Sequence, residues 1–492
     1  TEYVDQTLTP CDTRPYLLEQ IDDAAVVQLY ADGFEALPTG EKILVWHLYR
    51  AALAGRDIYY DQRYRHNLEM RAVLEAVITH PAGIAGHVLA EIVRYTKLFW
   101  LNTGPYHNLT ARKFVLRLSV EEMAEAVTRA GANGAALPLE PGETPAAIVA
   151  RLAPMFFDPT FDPTVTCKTP GEGRDILAAS ANNLYHGVTM ADLEGFREQY
   201  PLNSRLVKRD GRLIEEVYRV GGRHHHCIVR IVRHLREAAA VAPAGLRSAL
   251  EALVRFYETG DDRDREAFDI AWVQNHDTTV DTMNGFIEVY MDPRGAKGSW
   301  EGLVYYSNPE KTGKIRTLAA HAQWFEDHLP VDPRFRKPTV RGVSAMAIEV
   351  VVEAGDSGPL TPIGVNLPND QRIRERYGSK SVSLSNALEA YERSQPDSFR
   401  QEFSWDEAEA DRARQWAAFA SELTTEIHEV LGHGSGRMAD GLTGQPQDLL
   451  KEQYSALEES RADLVALYFV ADPYLAAIGL VASEDQPAIV RA

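Results

Sequence analysis

Thr425-Glu426-Ile427-His428-Glu429-Val430-Leu431-Gly432-His433 is the stretch from which the rest of this chain is read. Downstream of it comes Glu458-Glu459-Ser460-Arg461-Ala462-Asp463. Two histidines around a glutamate, followed by a carboxylate pair, supply the parts of a zinc hydrolase site. A catalytic zinc takes three side chains of the His/His/Glu type and leaves its fourth position open. A glutamate beside the first histidine can deprotonate water there. The common metalloprotease pattern spaces its histidines at i and i+4, but His428 and His433 are at i and i+5. On a regular helix that spacing sets them about 140° apart, against about 40° for i and i+4. A single π-type bulge would bring both onto one face, and Gly432 is the residue that best tolerates the distortion.

The second segment, residues 449–470, contains no Gly or Pro and predicts one long helix. Glu459 and Asp463 then share a face, with Glu458 about 100° away. A solvated charged face is the ordinary fate of such a run. Here Leu464, Val465, Leu467, Tyr468 and Phe469 follow at once, so the acids are expected where the helix enters a core. Buried carboxylates need a cation or donors. Glu459 as a ligand, with neighbouring acids orienting the histidine rings, would meet that need.

Composition bounds the rest. The 492 residues, 45% hydrophobic and 25% charged, describe a globular chain long enough for two or three domains. A formal charge of −20 argues against nucleic-acid or anionic-membrane partners. No apolar run is long enough for a membrane span. Three scattered cysteines, Cys11, Cys167 and Cys227, suggest reduced thiols and a cytoplasmic location. Apolar periodicity predicts helices over 15–30, 41–54, 65–79, 84–97, 119–130, 145–152, 212–220, 227–239, 244–258 and 408–432. Strand-like runs fall at 286–290, 302–306, 347–352 and 363–367. The tract Gly222-Arg223-His224-His225-His226-Cys227 looks metal-binding, but adjacent histidines diverge, so a loop or helix start is expected there.

Two strand-like segments carry unexplained polar residues. In 284–293, Glu288 and Tyr290 share a strand face, and a tyrosine hydroxyl beside a metal can stabilise an oxyanion. An ordinary half-buried strand is the alternative. In 364–370, Asn366 and Asn369 read locally as turn residues around Pro368.

Taken together, the motif His428-Glu429-Val430-Leu431-Gly432-His433, the segment 458–463, and the stretches NGFIEVYMDPRGAKGSWEG (284–302), GVNLPND (364–370) and KSVSLSNAL (380–388) resemble the dipeptidyl-peptidase III family of zinc exopeptidases. The resemblance implies an α+β, mainly helical protein of two lobes around a wide cleft. Residues 1–308 would form a lower lobe with a small β-barrel core and 309–349 an upper-lobe segment. Residues 350–370 would return to the β core, and 371–492 would form the helical upper lobe with the zinc motifs. It implies that His428, His433 and Glu459 bind one Zn2+, that Glu429 is the general base, and that Glu458 and Asp463 orient the histidines. Tyr290 would stabilise the tetrahedral intermediate, and Glu288, Asn366 and Asn369 would hold the α-ammonium of a short peptide with a free N-terminus. In the family a further histidine and arginine lie well beyond the acidic pair, and no histidine follows His433 here. A fragment, or a second polypeptide completing the upper lobe, is therefore expected. An aminopeptidase or endopeptidase on the same zinc core, or a non-catalytic peptide-binding protein, are the competing readings.

Overall fold

The computed structural model describes residues 14–276, 278–340, 343–358 and 361–492; Cys11 lies outside them. The architecture is mixed α/β, with about half of the described residues helical. Its centre is a five-stranded sheet of β1 (Val280–Glu288), β2 (Ser299–Ser307), β3 (Val343–Gly355), β4 (Gly364–Leu367) and β5 (Ser379–Leu384), in the order β1-β2-β3-β5-β4. The β1–β2, β2–β3 and β5–β4 pairs are antiparallel, and β3–β5 is parallel. The edges β1 and β4 do not pair with each other, so the sheet is open and the expected barrel is not formed. One edge, β4, has four residues and runs into Pro368, which has no N–H for a further ladder.

The sheet separates two hydrophobic cores. On β3 the side chains alternate, as a pleat requires. Met346, Ile348 and Val350 enter the first core, whereas Ala345 and Ala347 enter the second. The first core is completed by α1 (Thr39–Arg63), α2 (His225–Val241) and α3 (Ala244–Thr259) among other helices. Small residues Ala51, Ala52 and Ala54 let α1 lie close to the sheet. The second core holds Ile315 and Leu318, together with residues of α4 (Glu407–Ile427) and α5 (Tyr454–Val470). Strand β5 repeats the alternation: Val382 and Leu384 join the first core, and Ser379, Ser381 and Ser383 occupy the alternate positions.

Several expectations fail for local reasons. Residues 15–30 form an antiparallel hairpin, Leu17–Ile21 with Ala24–Val27, because Asp22 turns the chain at φ +53°. Residues 212–217 are likewise a strand, paired with Ser204–Arg209 across Asp210-Gly211, both at positive φ. Asp-Gly is the sequence signal for that hairpin, and it outranks apolar spacing. The long helix over 449–470 is interrupted: Pro446–Leu450 ends at Lys451, where φ is +50°, and α5 starts at Tyr454. Beyond the acids α5 buries Val465, Ala466 and Phe469 but exposes Leu464, Leu467 and Tyr468. The helix thus enters the second core just past the acids, as expected, but along one face only. Strand β5 and the residue Ala387 of the first core fall within the stretch 371–492 that was expected to be helical. Among the described residues, no helix is long and apolar enough to cross a membrane.

Candidate metal centre

Helix α4 is capped by Asp406, whose side chain accepts a hydrogen bond from the Glu409 amide, and runs unbroken from Glu407 to Ile427. There the backbone changes pitch. Residues His428–Gly432 form one π-helical turn, and the His433 N–H donates to the His428 carbonyl at 3.0 Å. The extra residue of the i, i+5 spacing is absorbed there, and both rings come to one side. The two Nε2 atoms are 3.1 Å apart, with the rings nearly perpendicular.

Gly432 lies in the π turn as expected and has a further job there. Its backbone is not in the left-handed region. A Cβ at this position would lie 2.9 Å from Ala462 Cα and 3.0 Å from the Ala462 carbonyl oxygen. The glycine therefore lets the π turn press directly on the α5 backbone, three residues past Glu459.

That contact assembles the site. Glu459 Oε2 is 3.4 Å from His428 Nε2 and 3.8 Å from His433 Nε2. Asp463 Oδ1 is 2.9 Å from His428 Nδ1, and Glu458 Oε1 is 2.8 Å from His433 Nδ1. The carboxylate partners assign the ring N–H to Nδ1 and leave both Nε2 atoms with lone pairs. Without a metal, a proton on one Nε2 makes this an N–H···N bond. Burial opposes charging His428, but Glu459, Glu429 and Asp463 outweigh it and push the ring up to about 9, and a metal ion bound there would take that proton's place. A tetrahedral zinc with Zn–N bonds of about 2.0–2.1 Å needs donor separations of roughly 3.3 Å. The three observed separations bracket that value, so the donor set fits the metal. Burial alone would raise the Glu458 carboxyl, but hydrogen bonds from His433 and Arg461 hold it well below its usual range.

Glu429 is buried, and its Oε2 has no hydrogen-bond partner. Burial pushes its carboxyl up to about 8, with Glu459 and Glu288 adding to the rise and His428 opposing it. The Glu429 carbonyl, displaced from helical pairing by the π turn, accepts from Asn366 Nδ2 at 3.1 Å and from Ser381 Oγ at 3.3 Å. Asn366 and Ser381 are cross-strand neighbours on β4 and β5, so the sheet edge holds the π turn. Asn366 Oδ1 remains buried without a partner. Asn369 Nδ2 donates to Glu288 Oε2 at 3.2 Å. Tyr290 lies just past the end of β1, and its hydroxyl donates to Glu459 Oε1 at 2.6 Å.

A cavity of about 250 Å3 unites these residues; Glu288, Tyr290, Asn366, Asn369, Glu429 and Glu459 all line it. All ten site residues expected from the sequence are thus gathered in one place. Sequence reasoning missed Arg374, which is buried in the cavity wall. Its guanidinium donates to the carbonyls of Pro368, Asn366 and His433, and so ties the anchor loop to the second histidine. No spacing marked it. Ser381 was missed too, although it stands in the KSVSLSNAL stretch.

Comparisons with known proteins cover the first histidine motif and the anchor segments. A family model described as peptidase family M49 matches residues 164–443. Dipeptidyl peptidase 3 of Rattus norvegicus is 29% identical over 211 residues, covering 42% of this chain and 28% of that protein. The Dictyostelium discoideum protein of the same name is 29% identical over 296 residues, covering 54% of this chain and 41% of its own length. The chain thus spans well under half the length of these relatives. The solved structure of dipeptidyl-peptidase III from Corallococcus sp. strain EGB superposes with a TM-score of 0.69 at 21% identity, covering 94% of this chain and 75% of that one. With more than half of its residues inside the matched range, the chain belongs to peptidase family M49, the dipeptidyl-peptidase III family.

Proposed function

We propose that this chain is a zinc-dependent dipeptidyl peptidase that cleaves the second peptide bond from the free N-terminus of short peptides. The observation that carries the reading is the convergence of His428 Nε2, His433 Nε2 and Glu459 Oε2 at zinc-like separations, with both ring N–H groups held by carboxylates. Zinc held by these three side chains supplies a Lewis acid that polarises the scissile carbonyl and acidifies water. The Glu429 carboxylate, whose Oε2 has no hydrogen-bond partner, takes the proton of the attacking water and delivers it to the leaving amine. Tyr290 turns its O–H from Glu459 to the oxyanion as charge develops. Glu288, oriented by Asn369, and the open acceptor Asn366 Oδ1 receive the substrate ammonium. Fixing the amine there sets which bond reaches Glu429, which is how a general hydrolytic centre becomes an exopeptidase. The two cores on either face of the sheet support a division into two lobes, with the centre between them.

Matched peptides with free and N-acetylated termini, followed by mass spectrometry, test the reading. Dipeptides should be released from the free-amine peptides only. Equal cleavage of the blocked peptides would remove the ammonium anchor and favour an endopeptidase.

A further inference from the structure

The tract at 222–227, expected to splay its histidines, does so only in part. One ligand atom from each of His224, His226 and Cys227 lies within 4.8 Å of the other two. His225 is the exception, since its Nδ1 accepts a hydrogen bond from the Gly221 amide. From this convergence we propose that His224, His226 and Cys227 form a second metal site, separate from the His428/His433/Glu459 centre, for a thiophilic transition metal such as Zn2+ or Cu+.

The backbone builds the site. After Val217 the chain turns tightly, and the Arg223 N–H returns to the Val217 carbonyl at 2.8 Å. Gly222 is obligatory in that turn, because a Cβ there would lie 2.2 Å from the Val217 oxygen. His224 then takes a left-handed conformation, φ +53°, and caps α2 by accepting the Cys227 and Ile228 amides on its carbonyl. Left-handed backbone is strained for a histidine, so the surroundings must hold it there. They do. The ring stacks on Tyr218 with a 14° interplanar angle, and its Nε2 lies 2.9 Å from Asp61 Oδ2.

Asp61 is a buried residue of α1, itself fixed by Arg223 and by Asn183. A buried carboxylate holding one nitrogen of an imidazole is the arrangement that orients metal-binding histidines, and it recurs here unasked by the peptidase chemistry. It directs the other nitrogen of His224, Nδ1, to serve as ligand; among the described residues this atom makes no hydrogen bond. Cys227, in the first turn of α2, buries its thiol, and His226 is exposed. Its exposed ring can rotate inward to close the remaining distance and gives the ion a way in. One thiolate and two imidazoles select Zn2+ or Cu+ over Mg2+ and Ca2+, which want oxygen ligands. Metal binding would fasten the 217–224 turn to the start of α2.

The test uses the full chain, stripped by dialysis against chelator and titrated with Co2+. The His/His/Glu centre has no sulfur, so a thiolate-to-cobalt band in the near ultraviolet comes from a cysteine, and its loss in Cys227→Ser separates the proposed site from Cys11 and Cys167. Two equivalents of Co2+ per chain and that band are expected. Cys227→Ser and His226→Ala should each remove the band and one equivalent. Glu459→Ala should leave the band intact, which separates failure here from failure of the peptidase reading. His226 is exposed, so its variant folds even if Cys227→Ser does not. A single equivalent with no sulfur band, or a band that persists in His226→Ala, would overturn the proposal.

Discussion

Gly432→Ala is the most informative perturbation of the metal centre, because the structure gives it a distance. The added methyl would lie 2.9 Å from both Ala462 Cα and Ala462 Cβ, and 3.0 Å from the Ala462 oxygen. Carbon atoms pack at about 3.5–4.0 Å, so the π turn and α5 must separate by roughly 0.6–1 Å. Neither partner is a flexible side-chain end; one is helix backbone and the other a π turn held by Asn366 and Ser381. Overpacking of this kind costs about 1–3 kcal/mol. The same displacement carries Glu459 away from two Nε2 atoms that it now approaches at 3.4 and 3.8 Å. Misaligned support of metal ligands lowers affinity by roughly 10–100-fold. The expected outcome is a lower melting temperature, zinc affinity weaker by that factor in a chelator competition, and reduced turnover at saturating zinc. Wild-type melting and wild-type zinc affinity in Gly432→Ala would refute the close-packing argument.

Other outcomes follow from the same geometry. Glu429→Gln should retain zinc yet lose about two to four orders of magnitude in kcat, measured on a free-amine peptide; unchanged kcat would rule out proton transfer by this side chain. Glu459→Ala should lower zinc content in metal analysis, because one of three donors is gone, and full occupancy would exclude it as a ligand. Glu353 offers a pH test away from the metal. Burial pushes its carboxyl up to about 8, against a weaker opposing hydrogen bond from Thr361. The folded state therefore holds a proton that the unfolded state releases near 4.5, and stability falls as pH rises from about 4.5 to 8. Glu353→Gln should flatten that fall and melt higher than the parent at pH 8; parallel melting curves for the two proteins would contradict it.

The sequence was most legible where one local signal had no competitor. Long amphipathic helices such as α1, α2 and α3 follow from apolar period alone, since each buries a single stripe. The i, i+5 histidines forced a bulge because no regular helix lets both meet one ion, and a π turn stands at 428–432. Misreadings came where turn chemistry competed with periodicity. Asp22, within 15–30, and Asp210-Gly211, just before 212–220, reverse the chain where apolar spacing also suits a helix. Strand β5 went unseen because alternating serine and aliphatic residues carry little signal until both faces of the sheet are known to be covered.

Residue type and order alone determined the donor set: two imidazoles, a base beside the first, and carboxylates on a later helix. At 288, 366 and 369 an ordinary strand and turn sufficed locally, and only the family resemblance made that glutamate and those two asparagines substrate anchors. Only the tertiary structure decided how these residues meet. Donor separations near 3 Å depend on how closely two helices approach, and a glycine at 432 controls that approach through a backbone 30 residues further on. The same holds for the partners of Asn366. Its amide is committed to the π turn and its oxygen is left open, a division that depends on β4 and β5 lying side by side. Local sequence sets what each side chain can donate, accept or ligate; only packing between distant segments sets which atoms come within bonding distance.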